Sequence, residues 1–237
     1  MKVWKRSLPV WLLTLVMLLT ACGTPSQPDQ PDGTETWREA YEETGAYLQA
    51  QTAPTAGSIG GEWAVIGLSR AGLLSDETAQ SYEQTVEDYV KQAGSVRLHH
   101  AKSTENSRTI LGLTAAGYNA ANVAGVDLTA GLTDMAYLRA QGTNGPIWAL
   151  IALDCHGYDI PQCADGEEQT TREGLVAEIL SYQCSDGGWA LMGDESDVDM
   201  TAMALTSLAP YQEETDVKAA VDAALTYLSD AQQADGG

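Results

Sequence analysis

The chain predicts an all-α fold, an array of helical hairpins, and two interleaved repeats carry that prediction. The segment Tyr47-Leu48-Gln49-Ala50-Gln51 returns as Tyr89-Val90-Lys91-Gln92 and as Tyr137-Leu138-Arg139-Ala140-Gln141. It returns again as Ile179-Leu180-Ser181-Tyr182-Gln183 and as Tyr227-Leu228, with successive spacings of 42 or 48 residues. Between these copies lie Ile66-Gly67-Leu68, Leu111-Gly112-Leu113, Ile151-Ala152-Leu153 and Met203-Ala204-Leu205. A period of about 40–50 residues holding two helical signatures marks a helical repeat array.

Each hairpin pairs two kinds of helix. The first is amphipathic with an acidic face, as in Trp37-Arg38-Glu39-Ala40-Tyr41-Glu42-Glu43 and Glu83-Gln84-Thr85-Val86-Glu87-Asp88-Tyr89. The second is apolar nearly all round, as in Ala64-Val65-Ile66-Gly67-Leu68 and Trp148-Ala149-Leu150-Ile151-Ala152-Leu153. A helix apolar on every side is buried, whereas its acidic partner meets water. The amphipathic helices therefore form an outer layer and the apolar ones an inner layer. Gly67, Gly112, Ala152 and Ala204 are expected to let neighbouring inner helices approach closely.

Residues 1–22 read as an export signal. Lys2, Lys5 and Arg6 precede an apolar run from Leu8 to Leu19, too short to span a bilayer comfortably. Its end, Leu19-Thr20-Ala21-Cys22, resembles the bacterial lipobox, which implies lipidation of Cys22 and an extracytoplasmic, membrane-anchored protein. Residues 23–36 carry three prolines and no core former, the composition of a flexible tether. The body follows over residues 37–237.

Charge narrows the function classes. The 237 residues carry 12 Lys and Arg against 33 Asp and Glu, a net −21. Loss of the signal removes three basic residues and leaves −24. Such a field repels nucleic acid and also holds the body away from an anionic membrane surface. With 44% hydrophobic residues the chain folds rather than remaining a disordered acidic tail.

The run Ile179-Leu180-Ser181-Tyr182-Gln183-Cys184-Ser185-Asp186-Gly187-Gly188-Trp189 resembles the QW motif of the squalene-cyclase and protein-prenyltransferase repeat superfamily. Tyr47-Leu48 to Gln51 with Gly61-Glu62-Trp63 is a looser copy, and the copies at Tyr89, Tyr137 and Gln232 are partial. The resemblance spans residues 37–237 and implies an (α/α) toroid. Four hairpins and one further outer helix are fewer than that superfamily's closed rings use, so the toroid is expected to be incomplete at its C-terminus, as in a piece of a longer chain.

Parallel inner helices would gather their N-termini at one mouth, where unpaired N–H groups and partial positive charge suit anionic or hydrogen-bonding ligands. The residues entering that mouth are Glu62, Trp63, Glu105, Asn106, Asn144, Trp148, Asp197 and Asp199. Ser, Asn and Asp at these points also serve as ordinary helix caps. Asp197-Val198-Asp199-Met200-Thr201-Ala202 resembles the acid motif of class II terpene cyclases, which implies Asp199 as proton donor beside Asp197, although Met200 replaces the third aspartate. Asp194, Asp197 and Asp199 also offer oxygen ligands for Ca²⁺, with a spacing that fits no defined calcium loop. The three histidines, His99, His100 and His156, have no zinc-site spacing. A Cys155–Cys163 bridge would close the polar loop between them, leaving Cys184 incidental.

Two functional classes follow. In the first, a surface-anchored lipoprotein binds a small ligand or a cell-surface partner at the mouth. The toroids of cobalamin carriers, similar by fold, point to a corrinoid as one such ligand. In the second, the chain is a cyclase-like enzyme with Asp199 as general acid, and a structural or adhesive array is a further alternative. Export disfavours the enzyme, because cyclases of that superfamily meet their lipid from the cytoplasmic side. The sequence favours binding.

Overall fold

The structure, a computed structural model, describes residues 33–51 and 54–236. The signal run and Cys22 lie outside the described residues. The chain forms two compact units, one ending at Ala46 and one beginning at Tyr47. Helix α1 (Gly33–Gln49) begins within the stretch read as a tether. In the first unit, Trp37 and Tyr41 meet edge-on at 6.4 Å, and the Arg38 guanidinium lies 5.4 Å from the Trp37 ring centroid.

The second unit continues with α2 (Ile59–Arg70), α3 (Asp76–Ala93), α4 (Thr104–Ala115) and α5 (Met135–Arg139). It ends with α6 (Asn144–Asp154), α7 (Arg172–Ser181), α8 (Val198–Leu208) and α9 (Thr215–Ala231). Among the described residues, extended pairing is confined to isolated bridges, so the fold is all-α. No described helix is long and apolar enough to cross a membrane.

The two helix types segregate as their sequences require. Helices α2, α4, α6 and α8 pack in succession, each against the next, while α7 and α9 pack behind α6 and α8. On α3, Ala79, Tyr82, Val86 and Val90 form one buried stripe at helical spacing, and acidic Asp76, Glu77 and Asp88 face water. In α6, Ile147, Ala149, Leu150, Ala152 and Leu153 are all buried, as its near-uniform apolarity demands.

Hydrogen bonds at both ends fix the direction of the first row. Near the starts, Arg108 of α4 meets Glu62 of α2, and Ser103 donates to Gln141, just ahead of α6. Near the ends, the Ser69 hydroxyl donates to the Ala115 carbonyl and Thr114 bonds Tyr158, just past α6. Thr143 donates to Ala190 before α8 begins, and Tyr211, just past α8, donates to Asp154 at the end of α6. All four helices therefore run parallel.

The fourth repeat junction shows what its conspicuous residues do. Gln183 donates from Nε2 to the Gly187 and Ala220 carbonyls, both at 2.8 Å, which ties its own turn to α9. Trp189 is fully buried, and its indole N–H donates to the Ile179 carbonyl at 2.8 Å. Gln232 makes the corresponding bond to Gly236 at 3.1 Å, and Gly187 and Gly236 share left-handed φ values of 93° and 92°. Two distant copies thus close the same turn.

Several expectations need correction. The third outer helix shrinks to the five-residue α5, preceded by a 3-10 turn at Leu128–Leu132. The Asp127 side chain caps the start of the 3-10 turn and the Asp134 side chain caps the start of α5, so the two short elements begin separately. Gly67 does not ease inner-helix packing, because a Cβ there would meet open space. Gly112 admits the Tyr82 hydroxyl of an outer helix most closely, with Glu62 of the inner helix α2 beside it at ordinary contact distance. Cys155, Cys163 and Cys184 are all free thiols, so the Cys155–Cys163 bridge is absent. The Cys155 Sγ instead points back to the Ala152 carbonyl at 3.2 Å.

Candidate functional site

Three of the four inner helices, α2, α4 and α8, are capped by side chains at the shared N-terminal end, and α6 is not. Ser58 accepts from Gly61 N, and the Gln141 amide oxygen accepts from Thr104 N. Asp197 accepts from Met200 N at 2.7 Å. These caps take donors that a bound anion would need.

Four of the polar residues singled out from the sequence, Glu62, Glu105, Asn106 and Asp197, are likewise occupied. Glu62 is fully buried, accepts from Gly57 N at 2.7 Å and pairs with Arg108 Nε at 3.1 Å. Burial pushes its carboxyl above the ordinary glutamate value, against the opposing pull of Arg108. Glu105 pairs with the other arm of Arg108 at 2.7 Å. Asn106 is fully buried and spends its amide on Val96 O, Leu98 N and Leu128 O, which pins two loops to α4. Asn144 opens α6 and is half-buried. Asp197 and Asp199 are both exposed. Asp199 therefore lies open to water rather than enclosed in a reaction cavity.

The two tryptophans behave differently. Trp63 of α2 and Trp148 of α6 meet edge to face with centroids 5.4 Å apart. From this pair a cavity of about 500 Å³ runs along the row toward the helix C-termini. Its wall takes Ile66 and Arg70 from α2, Leu111 and Thr114 from α4, Ile151 and Cys155 from α6, and Thr206 from α8. Neither Asp197 nor Asp199 lines it. Spacings of three and four residues on each helix place these side chains on one face. Trp63 remains 40% exposed, so one face of the pair is open to solvent.

At the far end of the cavity the helix termini are clamped. Arg172 donates to Asp154 at 2.7 Å and to the Leu153 and Tyr158 carbonyls. Tyr211 donates to the other Asp154 oxygen at 2.7 Å, and burial with that carboxylate raises its phenol. Partial desolvation of its sulfur, reinforced by Asp154, also pushes the Cys155 thiol up against the pull of Thr114 and Arg70, although the residue as a whole is exposed. Sequence reasoning missed Arg70, Cys155 and Thr206. Their signal was present as positions three or four residues along the inner helices from Ile66, Ile151 and Met203. Among the described residues, no group of three or more His, Cys, Asp or Glu side chains is arranged to hold a metal ion.

No protein-family model, curated protein or solved structure matches this chain.

Proposed function

We propose that the chain is a lipid-anchored binding protein, held by Cys22 at the outer face of a bacterial membrane, whose parallel inner helices enclose a small ligand. The observation that carries the reading is the cavity headed by the Trp63–Trp148 pair. Its volume of about 500 Å³ lies in the usual range of small-molecule sites, about 300–1,000 Å³. Flat aromatic area beside aliphatic Ile66, Leu111 and Ile151 suits an apolar body. The toroid of the squalene-cyclase and prenyltransferase superfamily remains the architecture this reading assumes. Catalysis through Asp199 is disfavoured by its exposure and by the commitment of Asp197 to a helix cap.

Titration of the protein with a corrinoid, an isoprenoid alcohol and a short glycan, read by tryptophan fluorescence, tests the proposal. The isoprenoid is expected to quench, and the response is expected to fall in both Trp63→Ala and Trp148→Ala. Quenching that survives both substitutions places the ligand elsewhere and removes the reading.

A further inference from the structure

We infer that the ligand of the Trp63–Trp148 cavity is an amphipathic oxyanion, with its apolar body along the tryptophans and its charged head at Arg70. The inference rests on the proposed binding role of that cavity and assigns the chemistry of what fills it.

Charge accounting around the cavity carries the argument. The chain is strongly acidic, and Lys91, Arg97, Arg108, Arg139, Arg172 and Lys218 all pair with carboxylates. Arg70, like Arg38 and Lys102, forms no ion pair with any described carboxylate, but of these three exposed cations it alone lines the cavity. Carboxylates near the walls are already engaged. Glu62 and Glu105 share Arg108, and Asp154 is held by Arg172 and Tyr211. The cavity end at Arg70 therefore carries positive charge that its own walls do not neutralise.

A bland role for Arg70 is to cap the carbonyls at the end of α2. Those carbonyls already have partners. Ala71 and Gly72 donate to Gly67 and Ser69, and Leu73 and Leu74 both donate to Leu68. The exposed guanidinium keeps its N–H donors for water or for a ligand, in the fork geometry that fits a carboxylate or phosphate. Screening over about 8 Å at physiological ionic strength limits the repulsion from distant acids, so the local cation decides.

Geometry sets the size of the body. Trp63 and Arg70 lie seven residues apart on one helix, a rise of about 10 Å. An eight-carbon chain with a terminal oxyanion matches that span.

The test compares octanoate, octyl phosphate and octanamide below their aggregation concentrations, with binding read by calorimetry on the full-length protein. At least one anion is expected to bind about tenfold more tightly than the amide, the scale of one charge-assisted contact. Arg70→Gln should weaken the favoured anions about tenfold more than it weakens octanamide, and added salt should narrow the wild-type difference. Trp148→Ala should weaken all three ligands. Equal affinity for anions and amide, unaffected by Arg70→Gln, overturns the oxyanion inference while the cavity reading stands. Binding of none of the three, or binding that Trp148→Ala does not weaken, overturns both.

Discussion

The Arg108 guanidinium donates from Nε to the Glu62 carboxylate at 3.1 Å, joining α4 to α2 where the glutamate side chain has no solvent exposure. The same guanidinium reaches Glu105 at 2.7 Å, so one cation is shared by two acids at the head of the inner row. Removing one member of a buried pair strands the other, and the two possible deletions strand very different things.

Arg108→Ala leaves Glu62 buried without its counter-charge, and we expect a loss of about 3–5 kcal/mol at neutral pH. Glu62→Gln leaves Arg108 its partner Glu105 and should cost much less. The pH dependence follows from the raised Glu62 carboxyl. Its protonation stabilises the fold fully below the ordinary glutamate value, and that contribution is lost as pH rises through the elevated one. The Arg108→Ala defect should therefore shrink on acidification, and Glu62→Gln should flatten the slope. Urea unfolding midpoints measured from acid to neutral pH check both. A defect independent of pH would remove the stranded-charge explanation.

Gln183 and Trp189 are expected to be stabilising residues rather than ligand residues. Gln183→Ala removes two hydrogen bonds, worth about 1 kcal/mol each. Trp189→Ala empties a fully buried site and should cost about 3–5 kcal/mol. Gln232→Ala, with one bond at an exposed turn, should stay within about 1 kcal/mol. Denaturant unfolding ranks the three, and a Gln232 effect as large as that of Gln183 would show that the last copy bears equal load.

The repeats were legible because periodic burial writes itself into sequence. Acidic faces marked the outer helices, and uniform apolarity marked α6. Side-chain allocation was not legible in the same way. Glu62, Asn106 and Asp197 have the residue types of a ligand rim, yet their polar atoms go to Arg108, to two loops and to a helix cap. Nothing local distinguishes a cap from a ligand contact, because both use the same lone pairs. Arg70 escaped notice for a different reason, since its significance lies in the cavity it lines, which only the packing of four helices creates.

Anchoring is tested directly. With Leu19-Thr20-Ala21-Cys22 as the processing signal, Cys22→Ser is expected to release the protein from the membrane fraction or to leave it unprocessed. Intact-mass analysis of membrane-bound wild-type protein should show a lipid-modified N-terminal cysteine. An unmodified Cys22 in that fraction removes the lipoprotein reading.

Gly67 and Gly112 occupy the same place in successive repeats, but their surroundings give opposite expectations. A Cβ at Gly67 meets nothing within 4 Å, so Gly67→Ala should gain roughly 0.5–1 kcal/mol from helix propensity alone. A Cβ at Gly112 collides with the Tyr82 hydroxyl, which is itself buried and without a hydrogen-bond partner. Burial and the nearby Glu62 charge raise the Tyr82 phenol, so the hydroxyl stays protonated and cannot escape by ionising. Gly112→Ala should therefore cost about 1–3 kcal/mol through overpacking. Tyr82→Phe removes the colliding atom and should recover most of that loss. A double-mutant cycle on thermal or urea unfolding measures the coupling, which we expect to exceed about 0.5 kcal/mol. Additive effects would mean that α4 shifts away from α3 as a unit, and that the close approach at Gly112 is not what sets their separation.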